Sequence, residues 1–295
     1  MRRLLLLFGG ALIILGGVWW FVLHAPEEIN EPIVEDSGEL LVEEYTIGAS
    51  VEGRAINGVT FSSAQVGAED DTHIVFVGGI HGGYEWNSVV LAYRMIDYFD
   101  LSPDALPENM RVTIIPNLNP DGVFKVTGLT GRFTEADVTA SVEETIPGRF
   151  NSNGVDLNRN FDCKWQPTST WRGETVNAGT APFSEPEAVA LRDFVRAEEP
   201  DAVVFWHSQA SNVYASECED GVLPETLDIM NRYATAAGYG AVASFDAYPV
   251  TGDAEGWLAS IGIPAITVEL TTHETIEFEQ NKAGVEALLN YYRTL

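Results

Sequence analysis

Three side chains in this sequence have the types and placement of a hydrolytic metal site: His81, Glu85 and His207. An apolar, β-prone run from Ile74 to Val77 ends in Gly78-Gly79-Ile80-His81-Gly82-Gly83. Glu85 then opens an amphipathic segment carrying Val89, Val90, Leu91, Tyr93, Met95, Ile96 and Phe99. This pattern reads as strand, tight turn and helix, with His81 at the strand end and Glu85 in the first helical turn. His207 closes a second apolar run, Val203-Val204-Phe205-Trp206. Two imidazoles and one carboxylate are the ligand set of a Zn²⁺ that keeps a position open for water. Each residue also has a plainer reading. A histidine after a buried strand is more often a satisfied structural residue, and a glutamate is favoured at any helix N-terminus. The conjunction of all three favours the metal.

The elements that must position these residues follow from periodicity. Residues 45–48 and 55–61 read as strands, followed by a strand at 73–77 and a helix at 85–98. A strand at 111–115 ends in the turn-rich loop Pro116-Asn117-Leu118-Asn119-Pro120-Asp121-Gly122. From about residue 125 to 182 the chain is rich in Gly, Thr, Asn and Ser, and irregular stretches of that length are usually functional. A helix at 184–197 is predicted, with Ser184 as N-cap and Pro186 in its first turn. The strand 202–206, a helix at 224–237, a strand at 241–245, a short helix at 253–261, a strand at 265–270 and a helix at 278–292 complete the pattern. Strands alternating with helices predict an α/β fold, a three-layer α/β/α sandwich with a mixed, mostly parallel central sheet. Ligands in such sheets bind at strand C-terminal ends, where His81, His207 and Glu269 all fall.

A series of motifs occurs in order: Gly48-x-Ser50-x-x-Gly53-Arg54, His81 with Glu85, Asn119-Pro120-Asp121-Gly122, Gly154-Val-Asp-Leu-Asn158-Arg159-Asn160-Phe161, Ser184-Glu185-Pro186-Glu187, His207-Ser208 and Thr267-Val268-Glu269-Leu270. From about Glu43 to Tyr292 the chain resembles the zinc carboxypeptidases, including their murein-peptide amidase-like bacterial members. The resemblance implies that His81, Glu85 and His207 hold one Zn²⁺ per chain. It implies Glu269 as the general base that takes a proton from water and returns it to the leaving amine. It implies Arg149 as the cation facing the oxyanion, and Asn158 with Arg159 as the binders of a terminal carboxylate. Tyr248, nine residues before Trp257, matches the family's mobile tyrosine, and Glu255 falls near its specificity position. An acid there would favour a cationic side chain on the substrate, with Asp253 close by; the alternative is that both acids merely favour a helix N-terminus. One departure stands out. The family carries His-x-x-Glu, whereas here the third position is Tyr84 and the glutamate comes one residue later. We read this as an insertion after Gly82-Gly83.

The implied activity is hydrolysis of a peptide bond next to a free carboxylate. The alternatives are a murein-peptide amidase or deacylase of the same fold, or a non-catalytic peptide- or glycan-binding module. Rival chemistries are poorly supported: there is no His-Glu-x-x-His and no Gly-x-Ser-x-Gly, and His273-Glu274-x-x-Glu277 lacks a third partner. His73 begins a strand and reads as structural. The chain has 295 residues, 44 acidic and 16 basic, and a formal charge of −28, which argues against a nucleic-acid partner.

Residues 1–24 read as a membrane anchor or signal segment: Arg2 and Arg3 precede an uncharged stretch from Leu4 to Leu23, close to the ~20 residues that span a bilayer. Residues 25–44 read as an acidic tether, and 45–295 as the catalytic domain, expected to be extracytoplasmic and monomeric. Cleavage of the first segment would leave it secreted or periplasmic. The cysteines Cys163 and Cys218 flank the site in what would be an oxidising compartment, so a bridge between them is predicted, the alternative being two buried thiols.

Overall fold

Strict alternation along the central strands sorts their side chains onto two helical layers. The computed structural model describes residues 40–63, 71–245 and 248–295. In chain order its strands are β1 (Leu41–Ala49), β2 (Ala55–Ser62), β3 (Thr72–Val77), β4 (Met110–Ile115), β5 (Thr168–Trp171), β6 (Glu174–Asn177), β7 (Ala202–Ser208), β8 (Asn212–Ala215), β9 (Glu217–Cys218), β10 (Gly221–Val222), β11 (Gly240–Val242) and β12 (Ala265–Leu270). The helices are α1 (Trp86–Leu101), α2 (Pro120–Thr127), α3 (Val142–Thr145), α4 (Pro186–Glu198), α5 (Pro224–Ala237), α6 (Ala254–Ser260) and α7 (Phe278–Tyr292). Eight strands form one sheet in the order β1-β2-β4-β3-β7-β12-β8-β11. The pairs β4/β3, β3/β7, β7/β12 and β8/β11 are parallel; β1/β2, β2/β4 and β12/β8 are antiparallel.

Ile74, Phe76, Val204 and Trp206 point to the layer of α1, α5 and α7, where they meet Leu91, Met95, Tyr233 and Leu288. Val75, Val77, Val203 and Phe205 point to the opposite layer and meet Leu191 and Val195 of α4 and Trp257 and Leu258 of α6. The period of two thus fills both faces, which is why β3 and β7 read as unbroken apolar runs. Phe76 stacks on Trp206 at 5.2 Å, and the buried indole nitrogen of Trp206 donates to the Tyr233 hydroxyl at 3.0 Å.

Several boundaries differ from the sequence reading. β1 begins at Leu41, paired with Ser62, so residues 41–44 of the expected tether are strand. The loop after β4 is shorter than expected. Asn119 Oδ1 accepts from Gly122 N at 2.9 Å and starts α2 at Pro120. Ser184 is not the N-cap of α4: Glu185 holds that place, because the Ser184 hydroxyl binds Glu185 Oε1 and receives Asn160 Nδ2. The strand expected at 241–245 is Gly240–Val242, and β8, four residues long and antiparallel to β12, was not anticipated. The anchor at 1–24 and the tether up to residue 39 lie outside the described residues. Among the described residues no helix is long and apolar enough to cross a membrane.

Candidate metal centre and active site

β3, β7 and β12 run parallel, and their C-terminal ends deliver His81, His207 and Glu269 to one edge of the sheet. Past β3 the chain must turn sharply beneath α1. Gly79 has φ +66°, and a Cβ on it would lie 2.6 Å from Val89 Cγ2. Gly82 has φ +45°, and a Cβ there would lie 2.6 Å from the Gly148 carbonyl oxygen. Only glycine allows the turn to adopt this backbone and to touch the segment carrying Arg149. Gly82–Glu85 winds as a 3-10 turn before α1 begins at Trp86. That tighter winding accommodates the extra residue, and Glu85 Oε1 still lies 2.8 Å from His81 Nδ1.

His207 Nδ1 is 3.0 Å from Glu85 Oε2 and 3.2 Å from His81 Nδ1. His81, Glu85 and His207 are buried, each offering one ligand atom, all within 4.8 Å of one another. On a tetrahedral zinc with bonds of ~2.0–2.1 Å the donors sit about 3.3 Å apart, so this donor set fits the ion. Burial would push the Glu85 carboxyl up, but the two imidazoles hold it well below its ordinary range. His207 responds oppositely: burial opposes its charge, yet Glu85 and Glu255 raise it well above the usual imidazole range.

All nine residues singled out in the sequence line one cavity of about 1170 Å³. Glu269 stands in register with His207 on the neighbouring strand. Its Oε2 is shielded from water and has no hydrogen-bond partner among the described residues. Burial, and then the Glu85 charge, push its carboxyl up to about 8. Arg149 Nε donates to Asp156 Oδ2 at 2.9 Å, its guanidinium lies 4.4 Å over the Trp171 ring, and its Nη1 stands 3.7 Å from Glu85. Asn158 Oδ1 accepts from Ala254 N at 2.8 Å, which turns the amide Nδ2 the other way as a donor. Arg159 is 4% exposed; its Nη1 donates to the Asn158 carbonyl at 2.5 Å, and its Nε is buried without a partner among the described residues. Tyr248 packs edge-on against Phe245 at 4.8 Å on the cavity wall.

Glu255 departs from expectation. The sequence left two readings open for it, an acid that meets a cationic substrate side chain and an acid that favours the helix N-terminus. Its Oε1 instead receives Thr267 Oγ1 at 3.0 Å and faces His207 Nε2 at 3.1 Å. Asp253 is also engaged: it caps α6 by accepting from Gly256 N at 2.7 Å. Burial and the neighbouring Glu255 charge push Asp253 up to about 6.

Three features escaped the sequence reading. Asp156 is fully buried, holds Arg149, and places Oδ1 3.4 Å from His81 Nε2. Burial opposes its charge, but Arg149 holds it far below the usual carboxylate range. It stands inside the Gly-Val-Asp-Leu-Asn-Arg-Asn-Phe motif, so the signal was present without a role. The second is a hydrogen-bond chain on the cavity wall. Asn87 Nδ2 donates to the carbonyls of Thr272 and Thr275, so its Oδ1 accepts from the Ser208 hydroxyl at 3.0 Å. Ser208 must then accept from His273 Nδ1–H at 2.8 Å, leaving His273 Nε2 to accept from Tyr84 O–H at 3.1 Å. Tyr84, the inserted residue, is thereby fixed in orientation, and His273 is a neutral wall residue. The third is Trp171 of the β5–β6 ribbon, which stacks with Arg149 and meets Tyr84 edge-on at 5.1 Å. The predicted bridge is present: Cys163 and Cys218 are joined, with Cα atoms 6.0 Å apart.

Comparison with known proteins agrees with this geometry. The sequence model of the zinc carboxypeptidase family matches residues 34–283. Gamma-D-glutamyl-L-diamino acid endopeptidase 1 of Lysinibacillus sphaericus is 27% identical over 181 residues, 58% of this chain and 44% of that protein. Carboxypeptidase D of Mus musculus is 30% identical over 163 residues, 52% of this chain and 10% of that protein. The chain therefore spans less than half the length of either relative. Among solved structures, bovine thrombin-activatable fibrinolysis inhibitor in complex with tick carboxypeptidase inhibitor superposes with a TM-score of 0.63 at 21% identity, covering 95% of this chain and 94% of that one. Murein-tripeptide amidase MpaA from Escherichia coli O157 gives 0.57 at 22% identity, covering 85% and 91%. At these identities the two structures show the shared fold.

Proposed function

We propose that this chain, which belongs to the zinc carboxypeptidase family, hydrolyses the amide bond next to a free carboxylate at the end of a peptide. The observation that carries this reading is one cavity holding both a convergent His-Glu-His cluster and an arginine, Arg159, that has no carboxylate ion-pair partner among the described residues and whose Nη1 is spent on the Asn158 carbonyl. His81, Glu85 and His207 would hold the zinc, which when bound supplies a Lewis acid and lowers the pKa of water. Arg159, with its buried free Nε, and Asn158, with its amide turned outward, are suited to a carboxylate on the departing residue. Arg149, pinned by Asp156, holds its positive charge beside the metal ligands, where negative charge develops on the scissile carbonyl oxygen. Glu269, whose carboxyl is pushed up by burial and by the Glu85 charge and which a bound zinc would return toward the ionised form, takes a proton from the attacking water as carboxylate and delivers it to the leaving amine.

The substrate class we infer is a peptide with a free terminal carboxylate, and murein peptides fall within it. The murein reading draws support from the 91% coverage of the amidase structure and from the similarity to the diamino acid endopeptidase. A working place outside the cytoplasm is supported by the Cys163–Cys218 bridge and by the arginine-flanked apolar stretch at residues 4–23. Membrane anchoring through that stretch is part of the same proposal. Every site residue comes from one chain, so a monomer suffices.

The test is a substrate panel on the zinc-loaded protein: peptides ending in a free acid, the same peptides C-terminally amidated, and a murein tripeptide. Free acids are expected to be cleaved and amidated peptides spared. Charged hydrogen bonds are worth ~1.5–3 kcal/mol each, so Arg159→Ala should lower kcat/KM roughly 10- to 100-fold on every substrate. Equal cleavage of amidated and free peptides would exclude the carboxylate-directed reading in favour of an endopeptidase or deacylase.

A further inference from the structure

His207 presents its two ring nitrogens to two different carboxylates. Nδ1 faces Glu85 Oε2 at 3.0 Å and His81 Nδ1 at 3.2 Å, on the side where the ligand atoms converge. Nε2 faces Glu255 Oε1 at 3.1 Å on the opposite side. A neutral imidazole carries one proton, and the nitrogen that gives its lone pair to a metal cannot hold it. With Nδ1 turned to the metal position, the proton resides on Nε2 and is donated to Glu255. We propose that Glu255 is a positioning residue of the metal centre, fixing the tautomer and aim of His207, and does not select the substrate's side chain.

Glu255 is itself well fixed. It is 3% exposed in the first turn of α6, and Thr267 Oγ1 donates to the same oxygen that faces His207. A carboxylate buried this deeply is costly without partners, and the His207 N–H supplies one. With Oε1 shared between two donors, this oxygen is not open to a substrate ammonium. The backbone of the same helical turn also carries Ala254 N, which orients Asn158. The start of α6 therefore sets both the metal ligand and the carboxylate-binding amide. His81 has its own acid, Asp156, 3.4 Å behind its Nε2. Each ligand imidazole thus has a carboxylate behind it, from a different element in each case.

The inference rests on the metal-centre reading, and zinc affinity tests both separately. Partners of this kind are typically worth ~10–100-fold in metal affinity. Chelator competition should show Glu255→Ala binding zinc 10- to 100-fold more weakly than wild type. Glu255→Gln keeps an acceptor oxygen and should lose less. In the zinc-loaded protein the His207 Nε2–H proton should give a downfield NMR signal, present in wild type and Glu255→Gln and absent in Glu255→Ala. The cobalt-substituted protein should change its visible spectrum in the alanine variant. The kcat/KM ratio between Lys- and Leu-terminated peptides should stay the same in all three proteins. If Glu255→Ala fails to fold, the Gln variant decides through the same NMR signal and substrate ratio. Zinc affinity within twofold of wild type in Glu255→Ala, or a Lys/Leu ratio that collapses in Glu255→Gln, overturns this inference alone. A wild type that binds no zinc overturns the metal-centre reading and this inference with it.

Discussion

Removing the Cys163–Cys218 bridge should weaken the fold and the carboxylate pocket while leaving the metal cluster intact. The two cysteines are 55 residues apart in sequence. Closing a loop of that length removes about 14 cal/mol/K from the unfolded chain, or ~4 kcal/mol at 25 °C in the chain-entropy treatment. For a domain of this size each kcal/mol moves the melting temperature by ~2–4 °C, so the loss should be about 8–16 °C. The location adds a functional consequence. Cys163 O accepts from Gly252 N at 2.7 Å, and Gly252 O accepts from Phe161 N at 2.8 Å. This ladder holds the segment after Arg159 against the residues that lead into α6. His81, Glu85 and His207 hang on the ends of β3 and β7, and the ladder reaches them only through Glu255 behind His207. In Cys163→Ser/Cys218→Ser, KM should therefore rise while zinc content stays at the wild-type level. Calorimetry, a substrate titration and elemental analysis measure the three quantities. A melting temperature within about 2 °C of wild type would refute the entropic argument. Two alkylation labels on unfolded, unreduced wild-type protein would refute the bridge itself.

Two further outcomes follow from the site and the core. Glu269→Gln should keep zinc and the wild-type melting temperature but lose turnover by ~10²–10⁴-fold, the usual worth of a general acid–base; a near-normal kcat would remove Glu269 from the proton transfers. His73 is a buried imidazole bonded to Thr113 Oγ1 at 2.8 Å, and burial, reinforced by Arg111, pushes it down to about 4. An unfolded histidine titrates at ~6.5, so this stabilisation is present above that pH and is lost as pH falls toward 4. Between pH 7.5 and 5 the loss from this group is about 2 kcal/mol. Urea titrations at both values should show it in wild type and a smaller decline in His73→Gln; equal declines would show that His73 is not the group responsible.

The fold was legible wherever a helix or strand had to be apolar in a fixed period. α5 and α7 run as their periodicity indicates, because both bury one face against the sheet. β7 could be read because both its faces are buried and its run is unbroken. What escaped was set by tertiary contacts. β8 has four residues and gains its identity from pairing with β12 on one side and β11 on the other. The cap of α4 moved from Ser184 to Glu185 because Asn160, Thr180 and Glu185 all compete for the serine hydroxyl. A residue's N-cap propensity contains no information about those partners.

The site divides along the same line. His81, His207 and Glu269 are placed by strand ends, and a strand end is visible in sequence. Glu85 raised the harder question, since a four-residue spacing departs from the motif. The answer lay in the backbone: the glycines at 82 and 83 permit a 3-10 turn, and the turn absorbs the insertion. Glu255 shows where spacing stops being sufficient. Its distance from Trp257 placed it at the right turn of the right helix, but a helical turn offers its side chains both to the cavity and to the neighbouring strand. Thr267 and His207, two residues from two different strands, decide which way the carboxylate faces. A hydroxyl or imidazole opposite a carboxylate is a pairwise property of the folded state, so no single-position motif could have carried it. The same reasoning applies to Asp156. Its motif was recognised as a unit, yet its work is divided between Arg149, which it holds by hydrogen bonds, and His81, whose free nitrogen it faces. Motif spacing names the residues that meet the substrate; the acids behind them are found only by following each buried charge to its partner.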